Sequence, residues 1–277
     1  MAVVINTNAL SLTAQRNLNK TQGEFQTSLR RLSSGLRINS AKDDAAGLFV
    51  AEKMTADIRG LRAASRNAAD GISLGQAAEG ALAQIGNNMQ RIREIAVQAA
   101  NATVEDRTGL QSEVDQLTQE ISRIVQTTEF NGTALLSATN SLTFQIGQDG
   151  VAEHQVSVST SDLTTLNAYN GTLTNTGTID VSTSAAASAS LATLDSDIDD
   201  ISTARGTFGA VQNRFEAVIA NVDNYVENLS AARSRIMDAD FAAETAALTR
   251  AQILQQSGIA MLSQANAVPQ NALALLQ

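Results

Sequence analysis

The chain of 277 residues has no cysteine, no tryptophan and one histidine, His154. The absence of cysteine excludes disulfides, thiol nucleophiles and cysteine metal sites. Aromatic residues make up only 3% of the chain, which argues against a globular core built on large rings. With one proline and abundant Ala and Leu, the composition favours long helices packed side by side. No basic segment followed by an apolar one opens the sequence, so we expect no cleaved signal peptide.

Charge is missing from both ends and unbalanced in the middle. Residues 251–277 and 1–15 carry no charged side chain, yet Gln and Asn interrupt the apolar residues, so we expect no membrane span. Such ends indicate helical faces that are covered by other chains. Between Arg123 and Arg205 there is no Lys or Arg but there are nine acids. An acidic middle indicates a solvated outer part and disfavours nucleic-acid binding.

Apolar spacing predicts helices on both sides of that middle. Residues 6–34 have helical spacing with an end near Gly35, and Asp43 or Asp44 could cap the next helix. Heptad seams follow in 78–99 and 110–124, which predicts an antiparallel pair joined near 102–108. A third seam runs from Leu194 to Ile236 and only Asp197 interrupts it.

The middle has a different pattern. Residues 142–146 and 155–159 alternate with period two and are separated by 147–150, which predicts a β-hairpin. Residues 182–190 are small and are interpreted as a loop or the start of a helix. The fold class is therefore mainly α, with long antiparallel coiled-coil helices from both chain ends and a small β-hairpin region in the middle.

No group of residues builds an active site. His154 has no ligands or nucleophile near it in sequence and is interpreted as an exposed strand residue. Asp195, Asp197, Asp199 and Asp200 lack the glycine and glutamate of a calcium loop and are interpreted as acids preceding a helix. Gly71 and Gly75 lack the context of a phosphate loop. We therefore predict no enzyme, no metal and no cofactor.

Several motifs closely resemble those of bacterial flagellin. They are INTN at 5–8, RLSSGLRINSAKDDAAGL at 31–48, EFNG at 129–132, ENLSAARSRIMDAD at 227–240, and QILQQ at 252–256 continuing to AVPQ at 267–270. The resemblance covers about residues 1–140 and 190–277 and is highly specific.

The resemblance implies two domains, the first of them discontinuous. Residues 1–43 and 238–277 would form a terminal-helix core domain. Residues 44–237 would form an outer domain, with helices at 44–136 and 191–237 and a β region at 137–190. The middle is shorter than in larger members of the family. Polymerisation through the terminal helices, which fold as they assemble, would involve a set of apolar residues: Leu18, Phe25, Leu29, Leu32, Leu254, Met261, Leu262 and Leu273.

The same resemblance implies an extracellular flagellar location, reached by flagellar export without a cleaved signal. The implied partners are further copies of the chain, the export apparatus and its chaperone, and the hook-associated and cap proteins. In some relatives Toll-like receptor 5 recognises a helical surface. The matching residues here are Gln90, Arg91, Glu94 and Ile95, with Glu113 on the neighbouring helix.

Two alternatives remain at the level of sequence. A hook–filament junction protein would share the architecture but would not form long filaments alone. A soluble coiled-coil scaffold or adhesin would have stably folded termini as a monomer.

Overall fold

The computed structural model describes residues 7–103, 105–173 and 179–274, with side chains described up to Ala267. Its helices are α1 (Ala9–Ser34), α2 (Ala45–Ala100), α3 (Thr108–Thr127), α4 (Ser184–Met237) and α5 (Phe241–Ala274). Its strands are β1 (Glu129–Phe130), β2 (Thr133–Ala134), β3 (Ser141–Gln145) and β4 (Gln155–Ser159). The mainly helical fold class predicted from the sequence is confirmed.

The chain divides into two compact units. Unit 1 is Met1–Ala56 with Asn228–Gln277, and unit 2 is Asp57–Glu227. The boundaries fall within α2 and within α4. Unit 2 is therefore shorter at both ends than the outer domain of residues 44–237 that the family resemblance implies.

Unit 1 is built on an antiparallel pair of helices, α1 and α5. Asn8 caps α1 by accepting a hydrogen bond from the backbone N–H of Ser11 at 3.1 Å. The helix ends as predicted at Gly35, whose φ of 72° is left-handed and suits glycine. Gly35 O then accepts a hydrogen bond from Ala239 N at 2.9 Å, so the connectors of α1 and α5 lie side by side.

Unit 2 has a conventional apolar core. The seam predicted in α2 is buried, from Ala78 through Leu82 to Ala99. Arg107 caps the end of α2 by donating from Nε to Ala99 O at 2.8 Å, and Arg91 pairs with Glu113 at 2.8 Å. These contacts confirm the predicted antiparallel arrangement of α2 and α3.

The predicted β-hairpin is confirmed as β3 and β4, with Phe144 opposite Val156. The ring of Phe144 meets Phe215 of α4 edge-on at 5.3 Å, which docks the hairpin onto the helices. A second, shorter hairpin pairs β1 with β2 through Asn131 and Gly132, both with positive φ, as an Asn-Gly turn of this length requires.

Three local predictions are wrong. Helix α4 begins at Ser184 rather than 191, because Thr183 caps it and alanines are good helix formers. Asp195–Asp200 therefore lie inside a helix and do not precede it. His154 is half-buried in a short 3-10 helix, Ala152–His154, and its Nδ1 accepts the N–H of Asp149 at 3.3 Å.

Gly71 gives a test of how unit 2 is packed. The side chain of Phe215 is fully buried, and a Cβ on Gly71 would lie 2.5 Å from the Phe215 Cε2 atom. We expect Gly71→Ala to lower the free energy of unfolding by about 1–2 kcal/mol, because the overpacking outweighs the gain in helix propensity. In the control, Gly80→Ala, a Cβ meets nothing within 4 Å. It should stabilise by roughly 0.5–1 kcal/mol in urea unfolding followed by circular dichroism. Equal effects at both glycines would contradict the packing argument.

Candidate polymerisation surface

The terminal pair, α1 with α5, has almost no core of its own. In α1 the buried residues are Ser11 and Ser28, and in the described side chains of α5 they are Ala251 and Ala265. Gly258 lies against Leu18, where an added Cβ would come within 3.3 Å of the leucine Cδ1 atom. The fully buried side chains of this pair are thus small ones, and its larger apolar residues are at most half-buried.

Many large apolar side chains of unit 1 remain exposed instead. Ten of the fourteen exposed large apolar residues of the described chain belong to unit 1. They are Leu10, Leu12, Leu29, Phe49, Val50, Phe241, Ile253, Leu254, Ile259 and Met261. So many exposed large apolar side chains in one unit mark an interaction site.

The residues predicted for polymerisation fall into two groups. Leu29, Leu254 and Met261 are exposed and free to contact a neighbouring copy. Leu18, Phe25, Leu32 and Leu262 are half-buried within unit 1. The side chain of Leu273 lies outside the described residues. Sequence reasoning missed Phe49, Phe241, Ile253 and Ile259, since helical spacing alone does not tell which apolar positions a short partner helix leaves uncovered.

An apolar groove runs along the terminal pair. It has a volume of about 630 Å³, and the large apolar residues lining it are Leu10, Leu18, Leu254 and Met261. Lys20 and Glu24 lie at its side. Polar contacts close to the groove hold the helices in register, since Asn8 Nδ2 donates to Ala265 O at 2.7 Å and Ser11 Oγ donates to Asn266 Oδ1 at 2.9 Å.

The connector between α1 and α2 is held by two aspartates. Asp44 Oδ1 accepts the N–H of Gly47 at 2.8 Å, which confirms the predicted cap of α2. Asp43 Oδ2 accepts the N–H groups of Asn39 and Ser40 at 3.1 and 3.0 Å. These hydrogen bonds, that from Asn39 first, hold the pKa of the Asp43 carboxyl below its ordinary value of 3.8.

The lowered pKa of Asp43 predicts how the connector responds to acid. A carboxyl whose pKa is depressed in the folded state stabilises that state above its unfolded pKa, and the contribution is lost as pH falls through the folded pKa. We expect the amide resonances of Asn39 and Ser40 to titrate below pH 3.8 and not above it. Asp43→Asn should remove this titration in an NMR pH series. A midpoint above 4 would contradict the assignment.

The residues matched to a receptor surface do not all share one surface. Gln90, Arg91 and Glu94 are exposed on α2, and Arg91 pairs with Glu94 at 3.1 Å and with Glu113 of α3 at 2.8 Å. The prediction for Ile95 needs correction, because its side chain is 1% exposed and packs into the core of unit 2.

Among the described residues, no cluster of three His, Cys, Asp or Glu side chains is arranged to hold a metal ion. None of the described helices combines the length and the apolar character needed to cross a membrane.

Comparison with known proteins identifies the family. Residues 5–141 match the bacterial flagellin N-terminal helical region, and residues 191–276 match the bacterial flagellin C-terminal helical region. Flagellin of Halalkalibacterium halodurans is 42% identical over 278 residues, covering 99% of this chain and 100% of the relative. Flagellin of Bacillus subtilis is 40% identical over 304 residues, covering 99% of each chain.

A solved structure described as a flagellar hook-associated protein of Vibrio parahaemolyticus aligns with a TM-score of 0.59. It covers 71% of this chain and 100% of that chain at 14% identity, so the likeness concerns the fold alone. The matches to both family regions and to the full-length relatives support the family assignment. The chain belongs to the bacterial flagellin family and is a structural subunit of the flagellar filament, not an enzyme.

Proposed function

We propose that the exposed apolar surface of unit 1 is the surface through which the filament polymerises, and that the terminal pair folds as it assembles. The observation that carries the proposal is the contrast within unit 1. Its helices bury few large apolar side chains among the described residues, while ten lie exposed. On this proposal residues 1–43 and 238–277 form the core domain of the filament, and 44–237 form the outer domain.

The energetics favour coupling between folding and assembly. Ordering the backbone costs roughly 1–2 kcal/mol per residue. In an isolated subunit the small contact between α1 and α5 offsets little of this, since burial contributes only about 25 cal/mol per Å² of apolar area. In the polymer, neighbouring copies would cover the exposed apolar side chains, and the uncharged ends would bring no unpaired charge into the contact.

The charge distribution supports an outward position for unit 2. Unit 2 carries nine Arg, no Lys and 21 acids, whereas unit 1 carries ten bases and seven acids. A strongly acidic part is stable in water but repels its own copies, so it suits the outside of a polymer. We propose an extracellular filament, reached through the flagellar export apparatus with its chaperone, and contacts with hook-associated and cap proteins at the filament ends.

Recognition by Toll-like receptor 5 is a further proposal. Its support is the exposed cluster of Gln90, Arg91, Glu94 and Glu113, in which one guanidinium joins two helices. The monomer should bind the receptor ectodomain, and Arg91→Ala with Glu113→Ala should weaken that binding. Unchanged affinity would contradict the assignment of these residues.

Seeded growth tests the filament proposal against a junction role. Purified protein mixed with fragments of its own filaments and viewed by electron microscopy should extend them into long filaments. Short additions that stop after one layer would instead indicate a hook–filament junction protein.

A further inference from the structure

Two phenylalanines of unit 1 are far more exposed than this residue type normally is. Phe49 is 69% exposed and Phe241 is 60% exposed. In the same chain Phe208 and Phe215 are fully buried, and Phe25, Phe130 and Phe144 are half-buried. A buried aromatic side chain removes about 150–250 Å² from water, so exposed rings of this kind are strong candidates for interface anchors. We call Phe49 and Phe241 the phenyl pair.

Both members of the phenyl pair lie at the connector end of unit 1. Phe241 is the first residue of α5, and Phe49 is in the second turn of α2, just after the Asp44 cap. The paired connectors fix both starts, through the hydrogen bond from Arg37 N to Met237 O and that from Ala239 N to Gly35 O.

The apolar groove lies farther along the same unit, around the middle of α5. Its centre, where Leu18 meets Gly258, is 17 residues along α5 from Phe241, or about 26 Å at 1.5 Å per residue. The nearest lining residue of α5, Leu254, is still about 20 Å from Phe241 along the helix. The phenyl pair therefore cannot fill the groove of its own chain.

We infer that the phenyl pair of one copy inserts into the apolar groove of the next copy. The inference rests on the proposed polymerisation through unit 1 and specifies which parts of its surface meet. The groove volume of about 630 Å³ is ample for two phenyl side chains, and its lining offers Leu10, Leu254 and Met261, each of which is about half exposed or more. Because the phenyl pair and the groove are different surfaces, at least about 20 Å apart along α5, the contact is head-to-tail and leaves one of each open. In a helical polymer such a contact repeats from copy to copy without closing.

Engineered cysteines give a direct test, since the chain has no cysteine of its own. In the variant Phe241→Cys with Met261→Cys, the two thiols of one chain are separated by about 30 Å of helix. A short bismaleimide applied to filaments can then join only different copies, and we expect a ladder of covalent multimers on a denaturing gel. Each single-cysteine variant should stay monomeric. Tyr225→Cys with Met261→Cys, a control at an exposed aromatic position of unit 2 outside the polymerisation surface, should give no ladder.

Filaments that form without a ladder would overturn the inference and leave the proposed polymerisation intact, whereas a wild-type chain that forms no filament would overturn the proposed function itself.

A second measurement uses chains without engineered cysteines. Phe49→Ala with Phe241→Ala should raise the critical concentration for seeded growth by roughly 30-fold or more. The matched exposed aromatic in unit 2, Tyr225→Ala, should change it far less. A change below about twofold in the double variant would also overturn the inference.

Discussion

Removal of residues 252–277 is expected to abolish filament growth and to leave unit 2 folded. The deleted segment carries Ile253, Leu254, Ile259 and Met261, each about half exposed or more, together with one wall of the apolar groove. The core of unit 2 contains none of these residues. We therefore expect no sedimentable polymer, with a loss of circular dichroism limited to the terminal helices and an unchanged unfolding midpoint for the rest.

A full-length variant distinguishes the effect of losing exposed apolar area from the effect of shortening α5. Ile253→Ser, Ile259→Ser and Met261→Ser together should also prevent polymerisation, because they remove exposed apolar area without shortening α5. Gln256→Ala with Ser263→Ala, at exposed polar positions of the same helix, should polymerise as the wild type does. If the deletion unfolds unit 2 as well, the division into an assembling part and an independently folded part is wrong.

Among the polar side chains described above, Asp197 is the one whose replacement is expected to lower the free energy of unfolding of unit 2 most. The side chain is 1% exposed within α4. Its Oδ1 accepts hydrogen bonds from Asn167 N at 3.1 Å and Asn167 Nδ2 at 2.8 Å, and its Oδ2 accepts from Ala168 N at 2.9 Å. The carboxylate thus anchors the segment that follows β4 onto the helices.

Asp197→Leu would remove the acceptor of the backbone N–H groups of Asn167 and Ala168, of which that of Ala168 is buried. We expect the free energy of unfolding to fall by about 2–4 kcal/mol, since hydrogen bonds to a charged group are worth about 1.5–3 kcal/mol and unpaired buried donors add to the loss. Asp199→Leu, at an exposed position two residues away, should change it by less than about 0.5 kcal/mol. Urea unfolding of both variants measures the difference, and similar losses would contradict the role given to Asp197.

Asp197 also shows what the sequence could not tell. It interrupts an otherwise regular heptad seam, and in sequence it resembles the neighbouring Asp195 and Asp199. The acceptor role depends on residues 167 and 168, which are about 30 positions away and have no regular secondary structure. Long-range pairing between a helix and an irregular segment leaves no periodic signal, so burial of this one acid was not predictable.

Periodic features were predicted well because local spacing determines them. The seams of α2 and α3, the β3–β4 hairpin and the end of α1 at Gly35 all follow from apolar period or glycine conformation. The seam of α4 is a partial exception. Its positions are buried or half-buried as far as Val222, but Tyr225 is 46% exposed, and the seam positions that follow it are half-buried. The heptad spacing alone therefore does not determine which positions of the seam a partner covers completely.

The polymerisation surface was predictable in outline and not in detail. The uncharged ends indicate that other chains cover the terminal helices. Which apolar residues remain exposed depends on how α1 and α5 meet, and they meet through Ser28, Ala251 and Gly258. Small residues at that contact leave large ones such as Ile253 and Ile259 exposed, and only the fold shows this.

Hydrogen exchange of the subunit before and after assembly tests the central claim most directly. In the monomer, the amides of α1 and α5 should exchange within about tenfold of an unstructured chain, while those of α2 and α3 in unit 2 are strongly protected. In filaments the protection of α1 and α5 should rise on the order of 100-fold or more, and that of unit 2 should change little. Terminal helices that are protected in the monomer as strongly as unit 2 would contradict folding coupled to assembly.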